Sequence, residues 1–262
     1  VSNDEITLTA GEAEVTVTPA GGGRVSGLRV DGVQLLRQGE RYGCFPMVPW
    51  CGRTREGRFL NGGVEHRLPL NAPPHAIHGT ARDGAWSVAR VTADEAVITH
   101  DLTDPWPYTG RVTQAVALAP GSLTLTMSVE TYDSSFPAQI GWHPWFNRTL
   151  NGTDADLAFD AAWQEERGDD HLPTGHRVDP KSGPWDDCFG MPDGVDVTLT
   201  WPGLLELKVT SPEKWVVVYD EQQEAVCVEP QTGPPNGLNT LPRLVTPLEP
   251  LEATTTWSWR RL

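Results

Sequence analysis

Two short segments carry side chains whose types and neighbours suit proton transfer. In Gly141-Trp142-His143-Pro144-Trp145-Phe146 an imidazole stands among aromatic rings, directly before a proline. Histidine titrates near neutral pH, and the aromatic neighbours offer apolar faces on which a sugar ring can pack. In Val228-Glu229-Pro230-Gln231-Thr232-Gly233-Pro234-Pro235-Asn236 an apolar run ends in a carboxylate, again before proline, and a stiff loop follows. A residue before proline is driven to extended geometry, and the proline withholds a ladder hydrogen bond. Both His143 and Glu229 are therefore expected at strand ends or edges, where an acid and a base can be held on either side of a substrate. Each also has a plain structural reading: a core histidine in an aromatic cluster, and a solvated glutamate opening a turn.

A third segment, Asn71 to Arg82, contains His75-Ala76-Ile77-His78-Gly79. The spacing of its two histidines hints at metal. On an extended, proline-rich loop, however, residues three apart point to opposite sides and no third ligand is specified, so no metal site is expected. Trp50-Cys51-Gly52-Arg53 and Trp185-Asp186-Asp187-Cys188-Phe189 each set a charge beside an aromatic ring, as sugar sites do. Arg82 reads equally well as a partner of Asp83.

The elements that must position these groups are strands. Strict alternation runs through Leu123 to Val129 and Leu205 to Val209, the pattern of antiparallel strands with one buried face. Shorter runs recur at 14–18, 24–30, 64–68, 111–118, 215–219, 225–229 and 254–260, with turn signals such as Gly21-Gly22-Gly23 and Asn151-Gly152 between them. No window sustains helical spacing. The stretch Ala162 to Gly183 is polar and unpatterned and reads as a long excursion that covers a site. The fold expected is all-β, a large antiparallel β-sandwich with little helix, in a single domain over residues 1–262.

Composition narrows the partners. A net charge of -15 with only three lysines leaves no basic stripe for nucleic acid or an anionic membrane. The same field disfavours a strongly anionic substrate at long range, although a few placed arginines can overcome it locally. Cys44, Cys51, Cys188 and Cys227 form no CxxC pair and read as reduced, packed residues. No apolar run approaches the ~20 residues that span a bilayer. A cytoplasmic monomer or homodimer is expected. The chain starts at Val1, so removal of a leader stays open.

In order, these segments resemble the aldose 1-epimerase family, the sugar mutarotases. The resemblance rests on the Gly-rich start Gly21 to Val25, Pro49 to Arg53, Ile77-His78-Gly79, Gly141 to Phe146, Asp186 to Phe189, and Glu229 to Asn236. It spans about positions 21 to 239. It implies a galactose-mutarotase-like sandwich with its site on one broad concave sheet. It also implies Glu229 as general base at the anomeric hydroxyl, His143 as general acid at the ring oxygen, and His78 assisting. Arg53 and Asp186 would hold hydroxyls of a neutral hexose such as glucose or galactose, with no cofactor or metal. A carboxylate near His143 is expected to favour its imidazolium form. Gly52 stands where the family usually has asparagine. Gly79-Thr80-Ala81-Arg82 is closer to a branch containing glucose-6-phosphate 1-epimerases, in which Arg82 would touch phosphate. A carbohydrate-binding or sensing protein without turnover, and a glycosidase using Asp186 with Glu229, are the remaining readings.

Overall fold

The computed structural model describes residues 5–262. Two large antiparallel sheets face each other. The first has eleven strands and runs from Ile6–Ala10 through Ala13–Thr18, Arg24–Val30, Cys44–Met47, Gly141–Asn147, Ala225–Gln231, Trp215–Tyr219 and Asp186–Gly190 to the pair Trp163–Arg167 and Pro173–Val178, with Val33–Gln34 paired to Arg24–Val30 off this path. The second has eight strands, centred on Ser122–Glu130 and Leu251–Arg261. Among the described residues helix is limited to a single turn at Gly237–Thr240 and two 3-10 turns. The all-β sandwich expected from the sequence is what forms.

The second sheet follows the alternation closely. Ser122–Glu130 and Gly110–Ala119 bury every other residue, so one face meets the first sheet and the other meets water. The middle of the first sheet behaves differently. Gly141–Asn147 and Ala225–Gln231 are buried on both faces, because one face meets the second sheet and the other lines a cavity. Their sequences carry no period-two pattern for that reason.

His143 lies at the middle of the first sheet, not at a strand end or edge as its proline suggested. Gly141 pairs with Gln231 and Trp145 with Cys227, and no pair is formed between them. The constant register sets His143 opposite Glu229 in that gap. Pro144 and Pro230, each without an N–H, fall within it, so the prolines interrupt the ladder locally without ending the sheet.

The polar stretch Ala162 to Gly183 is also more regular than its composition suggested. Trp163–Arg167 and Pro173–Val178 pair as an antiparallel hairpin at the sheet's edge. A register shift between Glu165 and Arg167 and the exposure of four consecutive residues, Thr174 to Arg177, remove the alternation.

One polar side chain ties the two sheets together behind the site. Gln114, on the second sheet and 1% exposed, accepts a hydrogen bond from Trp142 Nε1 at 3.0 Å and donates to the Gly23 carbonyl at 2.8 Å. Gly23 has φ +65, and a Cβ there would sit 2.6 Å from the Trp86 ring, which accounts for the glycine-rich start. Replacing Gln114 by Leu strands a buried donor and a buried acceptor. Urea denaturation of Gln114→Leu should show a loss of about 1–3 kcal/mol, and a loss below ~0.5 kcal/mol would refute this tie.

Candidate active site

Cross-strand rows build the cavity floor. Phe45 pairs with His143 across neighbouring strands, and Glu229, in register with His143, pairs with Val217, which pairs with Cys188. The next row on the same face runs Trp145, Cys227, Tyr219, Asp186. Residues two apart on a strand share a face, so these rows bring His143, Glu229 and Asp186 onto one concave surface. Trp142 and Phe146 point the other way, into the core between the sheets. The cavity has a volume of about 270 Å³. Its wall includes Arg53, His78, His143, Asp186 and Glu229.

The imidazole of His143 is clamped. Phe45 stacks on it at 4.6 Å and Trp145 at 4.8 Å, while His78 meets it edge-on at 5.1 Å. Its Nε2 lies 3.3 Å from Glu229 Oε1, and both side chains are buried. His78 itself has φ +63, an uncommon backbone state for a non-glycine residue. It is held there by its N–H to the Gly52 carbonyl and by Gly79, which packs against the backbone of Val48. Gly52, at φ +59, leaves space for Pro235, whose Cβ would lie 3.0 Å from an added side-chain carbon. Glycine at this position thus fits the close approach of the loop that follows Glu229.

That loop is locked by its polar residues. Thr232 exchanges hydrogen bonds with Ile140 through its hydroxyl and its N–H, and Asn236 Oδ1 accepts from the Arg55 N–H at 3.0 Å. Gln139 braces both sides, taking the Cys51 N–H and donating to the Pro234 carbonyl. The threonine and asparagine of the glutamate segment therefore position backbone.

Charge in the pair is set by competition between burial and contact. Burial lowers the His143 pKa to about 3, and the guanidiniums of Arg82 and Arg24 push the same way. Burial raises Glu229 well above the usual carboxylate range, helped by Asp186. At an effective dielectric of ~20 an ion pair at this separation gains about 4–5 kcal/mol, while burying two ions costs several kcal/mol each. Burial therefore favours a neutral imidazole beside a protonated carboxyl over the ion pair, and so opposes the imidazolium that a neighbouring carboxylate by itself would favour. His78 is also held well below its ordinary value, first by burial and then by His143, Arg82 and Arg53. It is a neutral hydrogen-bonding group.

The hairpin 163–178 closes one side. Glu165, Arg167, His171 and Pro173 face the cavity. Arg167 pairs with Asp186 at 3.0 Å and with Asp187 at 3.4 Å. Glu165 accepts from Trp163 Nε1 and from Arg177. The hairpin tip reaches the opposite wall, where Arg55 binds the Asp170 carboxylate at 2.9 Å and His75 Nε2 lies 3.1 Å from the Asp170 carbonyl. Sequence reading identified this stretch as a cover but none of its cavity residues, because a polar hairpin has no composition that separates lining from solvated side chains.

Arg82 stands apart. It lies in the turn Ala81–Asp83, its guanidinium 5.0 Å from the Phe45 ring and 3.7 Å from Asp83, and it is not part of the cavity wall. His75 is a structural residue whose Nδ1 accepts the Glu56 N–H at 3.1 Å. Among the described residues His143, Cys227 and Glu229 bring one ligand-type atom each within 4.8 Å of one another. The four cysteines are free and buried, and no helix is long and apolar enough to cross a membrane.

The lowered histidine values have a consequence for stability. Unfolded His143 and His78 bind protons near pH 6.5, whereas the folded groups do not. At these two histidines the unfolded state gains protons first as pH falls, so their contribution to stability drops from about pH 6.5 towards pH 3, while the raised Glu229, present in wild type and in a His143 variant alike, contributes in the opposite sense. Denaturation of the wild type and His143→Asn between about pH 7 and pH 4 should show the wild type losing more stability on acidification. Parallel pH profiles would contradict the assignment.

Comparison with known proteins agrees with this architecture. The family model described as aldose 1-epimerase matches residues 4–255. The Escherichia coli K12 protein YphB is 32% identical over 53% of this chain and 51% of its own length, so that match spans about half of the relative. YihR of the same organism is 26% identical over 91% of this chain and 87% of its own. Both bear the description uncharacterized. A crystal structure of a galactose mutarotase-like protein from Clostridium acetobutylicum superimposes with a TM-score of 0.88 at 19% identity, covering 98% of this chain and 95% of that one, which shows the fold. With a family model matched across nearly its whole length and this sandwich beneath it, the chain belongs to the aldose 1-epimerase family.

Proposed function

We propose that the protein is an aldose 1-epimerase that interconverts the α and β anomers of a hexopyranose. The observation that carries this reading is the contact of His143 and Glu229 at 3.3 Å on the floor of a cavity large enough for a sugar ring. Ring opening needs a proton taken from the anomeric hydroxyl and another delivered to the ring oxygen beside it. Glu229 as carboxylate and His143 as imidazolium perform both transfers, leaving the C1–O5 bond broken, a C1 carbonyl, a carboxyl and a neutral imidazole.

After rotation about C1–C2, the carboxyl returns its proton to the carbonyl oxygen and the imidazole reclaims the proton on the ring hydroxyl. The pair thus alternates between an ionic and a neutral form that hold the same number of protons. The neutral form, which burial favours, is the one required when the sugar is open. A bound sugar, with its hydroxyl dipoles, offsets the cost of the ionic form. Neutral His78 fits a hydrogen-bonding role at the ring oxygen, and Arg53 and ion-paired Asp186 fit hydroxyl recognition. The cycle closes without any other reactant.

Glucose and galactose, the neutral hexoses, are the first substrates to assay. Arg82, the residue that pointed to phosphorylated hexoses, lies behind Phe45, where its charge acts on the histidines. Polarimetry or exchange NMR of fresh α-glucose and α-galactose should show anomerisation faster than buffer. Glu229→Gln and His143→Ala should each lower kcat by about 10²–10⁴-fold with a smaller change in KM. Wild-type rates equal to buffer, or a Glu229→Gln enzyme as fast as wild type, would refute the reading. Saturable sugar binding without acceleration would make the chain a sugar-binding protein instead.

A further inference from the structure

The placement of arginines carries an inference about the substrate. Twelve of the seventeen arginines lie within 4.0 Å of a carboxylate oxygen, as expected where 35 acidic residues outnumber 20 basic ones. Of the other five, Arg24 donates to the Tyr42 carbonyl and Arg148 to the carbonyls of Asp220 and Gln222. Among the described residues this leaves the guanidiniums of Arg37, Arg41 and Arg53 with neither a carboxylate nor a carbonyl partner. Two of these three line the cavity. The third, Arg37, adjoins Arg41: their guanidinium carbons lie 5.2 and 5.3 Å from the same Tyr42 ring. In a chain of net charge -15, two arginines whose guanidiniums have neither an acidic nor a carbonyl partner thus face one cavity.

Arg53 fits hydroxyl recognition beside His78, with which it shares a short strand pairing at Ile77. Arg41 stands elsewhere on the cavity wall. It is exposed and lies 5.8 Å from the Trp145 ring, the ring stacked on His143. Resting on Tyr42 and Trp145 keeps its guanidinium at the cavity rim, with its fork of donors uncommitted. If His143 protonates the ring oxygen, the position of the sugar's exocyclic carbon follows. That carbon is attached to the ring carbon next to the ring oxygen, so it lies on the His143 side, which is also Arg41's side.

We infer that the cavity takes a pyranose bearing an anionic group on its exocyclic carbon, bound by Arg41 with Arg37 adding to the local positive field. This rests on the anomerisation reading, which places the ring oxygen at His143, and it extends that reading from the ring to its substituent. A planar guanidinium suits a carboxylate, as on a hexuronate, and equally a phosphate or sulfonate. The acidic surface opposes such a ligand only at a distance, because salt screens charges beyond about 8–10 Å.

The test compares anomerisation of glucose, glucuronate and glucose 6-phosphate by exchange NMR, in wild type and in Arg41→Ala and Arg41→Lys. A charge-assisted contact predicts that kcat/KM for at least one of the two anionic sugars exceeds that for glucose by about tenfold or more. That ratio should collapse in Arg41→Ala and be partly restored in Arg41→Lys. It should also decline as salt rises from about 20 mM to about 500 mM. Preference for glucuronate or for glucose 6-phosphate tells which anion the rim fits. A ratio of one or less in wild type, or one that Arg41→Ala leaves unchanged while glucose still anomerises, overturns this inference and leaves the anomerisation reading standing. No acceleration with any of the three sugars overturns both.

Discussion

A carboxyl and an imidazole in contact, both removed from water, impose the main constraint on this protein. Left in solvent, Glu229 would be an anion and His143 would titrate near neutrality. Buried side by side, both are pushed towards their neutral forms, the imidazole down and the carboxyl up, and desolvation is the first cause of each shift. Such a pair is costly to ionise, and its ionic and neutral forms hold the same number of protons. Burial lowers the histidine first, and the neighbouring positive charges, Arg82 and Arg24 beside Phe45, add to that shift without entering the cavity wall.

The fold can be understood as the means of holding that contact. Constant register across two central strands places the two residues opposite each other, and a proline after each removes the ladder bonds between them. Aromatic rings on either side of the imidazole fix its orientation, and hydrogen bonds from Thr232, Asn236 and Gln139 fix the loop that follows the glutamate. The second sheet, through Gln114, supports the same strand from behind. The hairpin 163–178 completes the wall and is strapped across by Arg55 and His75.

Alternation made the outer strands of the sandwich legible, because there one face is wet. The Gly141–Asn147 strand, with aromatic residues on both faces, had no such signature, and its prolines suggested an edge where the sheet has its centre. The types of the candidate residues were legible from chemistry, and their order from family resemblance. Their protonation was not, since it depends on burial that only the packed sheets create. Arg41, Glu165, Arg167 and His171 stayed hidden for a different reason. Each is one polar residue among many, and only the cavity distinguishes it from a solvated neighbour.

The protonation of His143 and Glu229 can be observed directly. Nitrogen-15 NMR of the histidines, combined with infrared difference spectra of wild type against Glu229→Gln, reports both partners in the sugar-free protein near neutral pH. The account predicts a neutral His143 imidazole and a protonated carboxyl band that vanishes with Glu229→Gln. An imidazolium at His143 together with an ionised Glu229 in the sugar-free protein would contradict it.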